Sequence, residues 1–296
     1  MRLLLADLLG SPDLSPFFRD HWERLPFARP EGAAQVADLA SAERLGALLA
    51  DESTDIVAVR DGAPAEGGRP RSLEEARALL GTGATIAFRH LERSDPGFAA
   101  LGRRMSAELR GAPNVHVYWT PPGHGSFGWH CDPEDVFLLQ VHGRKRYRFR
   151  ENTVHRWPLL ETLAQAGSAA QEESPIGEAA LEPGAWLYLP AGWWHDVLAD
   201  TESIAISVGL LAPTPLDVLD FLRAELVRDE RWRARLPALG HAVPGDEGEK
   251  LAAFRGALAR MGAELAAMLG DERTQQRYLR QALLRAWGAT PSRRPR

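Results

Sequence analysis

Between about residue 114 and residue 210, apolar and polar positions alternate in short runs that glycine and proline interrupt. On both sides of this stretch the apolar spacing lengthens to three and four. Alternation is the period of a strand with one buried face, and the longer spacing is that of a helix. Val115, Val117 and Trp119 alternate with His116, Tyr118 and Thr120, and Pro121-Pro122-Gly123 then turns the chain. Asp135 to Gln140 is apolar enough for a strand buried on both faces. His142-Gly143-Arg144 reads as a tight turn and Lys145 to Phe149 as the returning strand. Short strands follow at Trp186 to Leu189 and Ile204 to Leu210, while Thr153 to Glu178 reads as an insertion, part helical and part loose. Upstream, helices are predicted from Leu14, where Pro16 sits in the first turn, from Ser72, whose serine and following glutamates suit a helix start, and over Phe98 to Leu109. Asp55 to Arg60 is a β-branched strand. Downstream of Pro213, Leu216, Leu219, Phe221 and Leu222 begin one helical stripe, and Leu251, Phe254, Leu258, Met261 and Leu265 form another.

Many short strands separated by such turns indicate a mainly β (α+β) chain built on a double-sheet jelly roll or barrel, flanked by helices. The expected organisation is an N-terminal α/β elaboration over 1–90, a catalytic jelly roll over 91–212 and a helical region over 213–296. Composition narrows the class only a little. With 296 residues, a hydrophobic share of 45% and a charged share of 25%, the chain is ordinary for a globular protein. Its net charge of −5 provides no general basic field, so no direct nucleic-acid binding is expected. One cysteine cannot form an internal disulfide, the apolar start is too short for a secretory signal, and no run reaches the length of a membrane span. A soluble cytoplasmic protein is the expectation.

The chemistry concentrates in three residues. His130 and Asp132 stand two apart around Cys131, so on a strand they point the same way and the cysteine points the other. His195 ends a run punctuated by Pro183-Gly184 and by Pro190-Ala191-Gly192. Two imidazoles and a carboxylate make the facial triad that holds Fe(II) and leaves coordination positions open. An H-x-D pair by itself is weak, because such pairs are usually just solvated. The apolar run from Val136 to Leu139 places this one at the mouth of a packed sheet. Trp129, Trp193 and Trp194 flank the three residues and either line a substrate groove or belong to the core. Cys131 reads as a packed thiol, and His124, His142, His155 and His241 as surface or turn residues.

Two blocks carry a family likeness. The first is His130-Cys131-Asp132-Pro133-Glu134-Asp135-Val136-Phe137-Leu138-Leu139-Gln140 with Gly143-Arg144-Lys145-Arg146-Tyr147. The second is Pro183-Gly184, Leu187-Tyr188-Leu189-Pro190, Gly192, His195 and Ser207-Val208-Gly209. The stretch from Tyr118 to Gly209 resembles a JmjC domain of the iron- and 2-oxoglutarate-dependent oxygenases. Within them it is most similar to the ribosomal-protein hydroxylases of the cupin-4 type, and weaker likeness reaches back to Phe17-Phe18 and Trp22.

The resemblance implies a cupin-like double-stranded β-helix with His130, Asp132 and His195 as the iron ligands, and with 2-oxoglutarate and O2 as cosubstrates. It matches Lys145 to the basic residue that binds the far carboxylate of 2-oxoglutarate. A fixed cation suits a dianionic acid, and strand alternation turns Lys145 opposite to Arg144 and Arg146; the alternative is a surface lysine in a basic turn. Tyr118, with Thr120 on the same strand face, and Ser207 are the further cosubstrate candidates, Tyr118 otherwise being a half-buried sheet residue. His116 stands where the compared hydroxylases carry asparagine, which leaves it as a fourth ligand or, the better expectation, a hydrogen-bonding core histidine near the substrate pocket. The implied reaction hydroxylates a protein or peptide side chain, such as arginine or histidine of a ribosomal protein, and releases succinate and carbon dioxide. Residues after Pro213 fall where those enzymes dimerise, so a homodimer is an expectation. Rival readings are tailoring of a ribosomally made peptide or small natural product, a silent JmjC-like binding module, and a metal cupin that needs no cosubstrate.

Overall fold

The structure is a computed structural model that describes residues 4–125, 127–154, 156–157, 172–240 and 245–286. Most of the insertion expected between Thr153 and Glu178, together with His155, His241 and the arginine-rich tail, lies outside the described residues. In chain order the elements are α1 (Leu4–Leu9), α2 (Ser15–Asp20), β1 (Phe27–Arg29), α3 (Ala42–Ala50), β2 (Asp55–Arg60), β3 (Ala63–Pro64), α4 (Leu73–Gly81), β4 (Thr85–Arg89), α5 (Pro96–Leu109), β5 (Ala112–Thr120), β6 (Asp135–His142), β7 (Lys145–Arg150), β8 (Gly177–Leu181), β9 (Trp186–Leu189), β10 (Trp194–Ala199), β11 (Ser203–Leu211), α6 (Pro215–Leu226), α7 (Glu230–Arg233), α8 (Glu247–Gly270) and α9 (Glu272–Ala286). Two compact units result, one ending at Ala212 and the other beginning at Pro213.

The first unit is a double-stranded β-helix. Eight strands in the order β1-β9-β6-β11-β5-β4-β2-β3 form the large sheet, and β10-β7-β8 form the small one. Every pairing is antiparallel. Strands from the first ninety residues thus join the sheet that carries the site.

Pleat alternation gives the large sheet two different faces. Val115, Val117 and Trp119 of β5, Phe137 and Leu139 of β6, Trp186 and Tyr188 of β9, and Ile206 and Val208 of β11 face one way. There they pack with Leu5, Phe17, Leu45, Phe98 and Met105 from the helices. α4 starts where sequence predicts, Ser72 capping it by accepting from Glu75 N at 3.2 Å, whereas α5 starts two residues before the predicted Phe98, where Asp95 caps it through Gly97 N and Phe98 N. The opposite face meets the small sheet, where Val136, Leu138, Leu187 and Leu189 pack with Tyr147 and Leu181.

Register decides what lies between the sheets. Ser203, Ala205 and Ser207 stand opposite Thr120, Tyr118 and His116, and Val197 and Ala199 stand opposite Tyr147 and Lys145. A slip of one residue would send each of these to the other face. The β6–β7 turn holds that register: Gly143 has φ +66°, and a Cβ there would lie 1.9 Å from the Glu202 carbonyl oxygen.

The second unit is helical. Asp246 caps α8, and Glu264 receives hydrogen bonds from the Trp232 indole at 2.7 Å and from Arg231 at 2.8 Å. Phe221 and Leu222 are buried, whereas Leu216, Leu219, Leu251, Leu258, Leu269 and Leu279 are exposed. No helix among the described residues is long and apolar enough to cross a membrane.

Candidate metal centre

His130 and His195 are brought together by backbone pairing. His130 N donates to the His195 carbonyl at 3.0 Å and His195 N donates to that of His130 at 2.7 Å, which closes a two-residue bridge at the start of β10. Gly192 N then donates to the Asp132 carbonyl at 2.7 Å, tying the ligand loop to the β9–β10 turn. As alternation requires, Cys131 turns away and is buried, and burial pushes its thiol up to about 11, so it is no nucleophile.

The side chains of His130, Asp132 and His195 each present a ligand atom within 4.8 Å of the other two. His195 Nε2 stands 3.6 Å from Asp132 Oδ2, and the two imidazole centroids are 4.1 Å apart. Both rings are aimed by their other nitrogen: His130 Nδ1 lies 2.8 Å from the Gly128 carbonyl and His195 Nδ1 lies 3.1 Å from that of Trp193. A carbonyl only accepts, so Nδ1 carries the proton and the Nε2 lone pair is left for a cation. Burial, with the neighbouring His130, pulls His195 down to about 4, so its imidazole is neutral at ordinary pH, the form that ligates. The donor set, its convergence and its protonation fit a divalent first-row metal such as Fe(II).

Beside the triad, Tyr118, Lys145, Tyr147 and Ser207 line one pocket with its three residues, closed by Phe127, Val136, Leu138 and Val197. Lys145 is only 3% exposed. No carboxylate among the described residues lies within ion-pair distance of its ammonium, which sits 6.0 Å from the centre of the Tyr118 ring. Burial alone pulls it down to about 7. An enclosed cation without a counter-charge is costly, and a carboxylate entering the pocket would relieve that cost. Burial, and then the charges of Asp132 and Glu134, raise the Tyr118 phenol, which stays a neutral donor.

The remaining sequence candidates divide. Thr120 is buried on the same face as Tyr118, and its hydroxyl finds no partner among the described residues, but it is not part of the pocket lining. His116 packs against Tyr118 and His90, its Nδ1 is unpartnered among the described residues, and burial with the nearby His90 pulls it down to about 4. None of the three tryptophans lines the pocket. Trp194 is fully buried and donates to Glu172 at 3.1 Å, Trp193 packs edge-on to Phe149, and Trp129 lies against the Arg148 guanidinium. Adjacent strand residues face opposite ways, so a ring next to His195 in sequence cannot share its face. Sequence reasoning passed over Tyr147, although its spacing of two from Lys145 was the available signal. It had no signal for Phe127, which a glycine-flanked loop sets edge-on to both His130 and Tyr118.

A larger cavity, about 560 Å³, lies elsewhere, along Arg146, Arg148, Glu178 and Asp196 of the small sheet. Its arginines are already ion-paired, Arg146 with Asp200 and Arg148 with Asp196, and it holds none of the triad. The chemistry therefore sits in the smaller pocket.

A jelly roll with a two-histidine, one-carboxylate cluster between its sheets has the fold of a cupin-type domain with a candidate metal centre. Residues 94–218 match the family model of the JmjC domain. It is 26% identical over 223 residues to the Drosophila persimilis protein named bifunctional lysine-specific demethylase and histidyl-hydroxylase NO66, a match that covers 70% of this chain and 31% of that one. The chain thus spans less than a third of the length of that relative. To Bacillus subtilis YxbC it is 25% identical over 256 residues, covering 78% of each. Its fold superposes on Escherichia coli YcfD, described as a ribosomal oxygenase in complex with cobalt and 2-oxoglutarate, with a TM-score of 0.63 and 21% identity over 92% of this chain and 70% of that one. A second YcfD structure, with cobalt and succinic acid, gives a TM-score of 0.60 and 20% identity over 90% and 69% of the two chains.

Proposed function

We propose that the chain is an Fe(II)- and 2-oxoglutarate-dependent oxygenase that hydroxylates a side chain of a protein or peptide substrate. One observation carries this reading. A convergent triad of two imidazoles and a carboxylate shares its pocket with a buried ammonium that has no counter-charge among the described residues. His130, Asp132 and His195 would hold the iron, and Lys145, with the Tyr118 hydroxyl, would take the far carboxylate of the cosubstrate. Iron with 2-oxoglutarate and dioxygen supplies the oxidising chemistry, which yields succinate, carbon dioxide and a hydroxylated carbon.

The chain's own contributions are positional. Gly128 and Trp193 carbonyls fix the imidazole tautomers, the small sheet holds the Lys145 ammonium 6.0 Å from the centre of the Tyr118 ring, and Val136, Leu138 and Val197 keep water from the pocket. No side chain is needed as an acid or base. A ribosomal protein is the substrate class favoured by the descriptions of the YcfD and NO66 relatives. The single buried cysteine suits a cytoplasmic setting. The exposed leucines of the second unit support self-association.

The test is mass spectrometry of candidate ribosomal proteins incubated with the chain. A gain of about 16 Da, one oxygen atom, should depend on iron and 2-oxoglutarate and vanish with Asp132→Ala. Succinate formation that survives Asp132→Ala would defeat the proposal.

A further inference from the structure

Glu172 is a buried carboxylate that the triad and the cosubstrate pocket leave unused. It is 5% exposed and lies between β7 and β8, behind the metal centre rather than in it. Four donors converge on it: Thr153 N at 3.0 Å, Thr153 Oγ1 at 2.6 Å, Val154 N at 3.2 Å and the Trp194 indole Nε1 at 3.1 Å. Burial would raise its carboxyl, but these hydrogen bonds hold it below the ordinary range, so it is ionised and accepts from all four. Trp194 is the residue before His195, and pleat alternation turns its ring to the outer face of the small sheet. Leu198, on that same face of β10, is 36% exposed, yet Trp194 is only 1% exposed, with Glu172 on its indole edge. The segment that holds Glu172 also reaches the other two ligands. Asn152 Nδ2 donates to Cys131 Sγ at 3.8 Å, and Cys131 stands between His130 and Asp132.

We propose that Glu172 is a positioning residue for the metal centre, holding His195 in place through the Trp194 indole. This rests on the metal site of the oxygenase reading and adds to it the residue that fixes one ligand from behind. His195 also closes the backbone bridge to His130, so a shift of its strand moves both imidazoles. That bridge is an isolated residue pair and needs support from outside itself. A hydrogen bond to an ionised acceptor is roughly twice as strong as one between neutral groups, and the exclusion of water here leaves it no competitor. Groups one step behind a metal's ligands set how those ligands point.

The experiment titrates Co(II) into the full metal-free chain and follows its visible absorption, alongside denaturant unfolding of the same proteins without metal. Glu172→Gln should weaken Co(II) binding by about 10-fold, the lower end of what groups behind metal ligands contribute, and should change the visible bands of the bound ion. Trp194→Phe keeps a buried ring and removes the indole N–H, so it should shift affinity and spectrum in the same way. It carries the test if Glu172→Gln does not fold. Combined, the two should weaken binding no further than Glu172→Gln alone, since both break one link. A carboxylate that served only the fold would lower the unfolding free energy in its variant yet leave the affinity and spectrum of the folded chain as in wild type. That result in either variant overturns the proposal, as does a double variant weakened by the product of the single effects. Absence of Co(II) binding in wild type would defeat the metal centre itself and the proposal with it. Wild-type binding that is indifferent to these substitutions defeats only the role of Glu172.

Discussion

Replacing Lys145 with methionine should move stability and ligand affinity in opposite directions. The ammonium is enclosed between the sheets with no anion among the described residues to meet it, and its folded pKa is about 7 against an ordinary 10.5. At pH 7 the folded chain therefore holds the lysine at a cost set by that gap, which at about 1.4 kcal/mol per unit comes to roughly 5 kcal/mol at most. Methionine fills a similar volume with no charge, so the ligand-free variant should be more stable at pH 7 by about 2–4 kcal/mol once side-chain packing differences are allowed for. The pH dependence should change too. Because the folded pKa lies below the unfolded one, the unfolded chain binds the extra proton, and wild-type stability rises as pH climbs from about 7 toward 10.5. That slope should be missing from the variant. The same substitution removes the partner of the far carboxylate, costing about 2–4 kcal/mol of binding, or roughly 30- to 1,000-fold in the Kd for 2-oxoglutarate. Denaturant unfolding of the metal-free proteins and titration calorimetry of the Mn(II)-loaded ones read the two effects. A variant that is less stable than wild type at pH 7, or that binds 2-oxoglutarate within threefold of wild type, would refute the reasoning.

Other perturbations test separate parts of the structure. Asp132→Ala removes one of three convergent ligands, so visible absorption of added Co(II) should show affinity falling by at least about 100-fold, and unchanged binding would mean that the metal sits elsewhere. His116→Asn should flatten the acid limb of the stability curve. The folded pKa of His116, about 4, lies below its ordinary 6.5, so wild type loses up to about 3 kcal/mol between those pH values and the asparagine variant should lose correspondingly less in chemical unfolding. Gly143→Ala combines a positive φ with a Cβ driven into the Glu202 carbonyl, and should lower unfolding free energy by about 2 kcal/mol or more. Tyr188→Phe deprives the buried Asp135 carboxyl of its 2.6 Å hydrogen bond, and a loss of about 1–3 kcal/mol is expected in the same assay.

Much of the arrangement was legible along the chain because it is local. Alternation at Val115 to Thr120 gave the strand and its two faces, and the two-residue spacing of His130 and Asp132 gave a shared direction. The punctuation around His142-Gly143-Arg144 gave a turn that the structure forms with Gly143 in the left-handed region. The tryptophans were harder, since closeness in sequence to His195 suggests a shared groove while the pleat sends the neighbouring ring to the opposite side.

What the sequence determined by itself was the period of each segment and the kinds of donor available: two imidazoles, a carboxylate and a lysine on strands. Tertiary structure alone decided which of them meet. Strand register is a relation between segments far apart in the chain, and only it sets Lys145 in the pocket of Tyr118 and Ser207 with no anion beside it among the described residues. The bridge that joins His130 to His195 is likewise made of backbone groups 65 residues apart, which no local pattern encodes. Burial follows from the same pairing: the closed pair of sheets removes the water that would otherwise leave these side chains with ordinary solution chemistry.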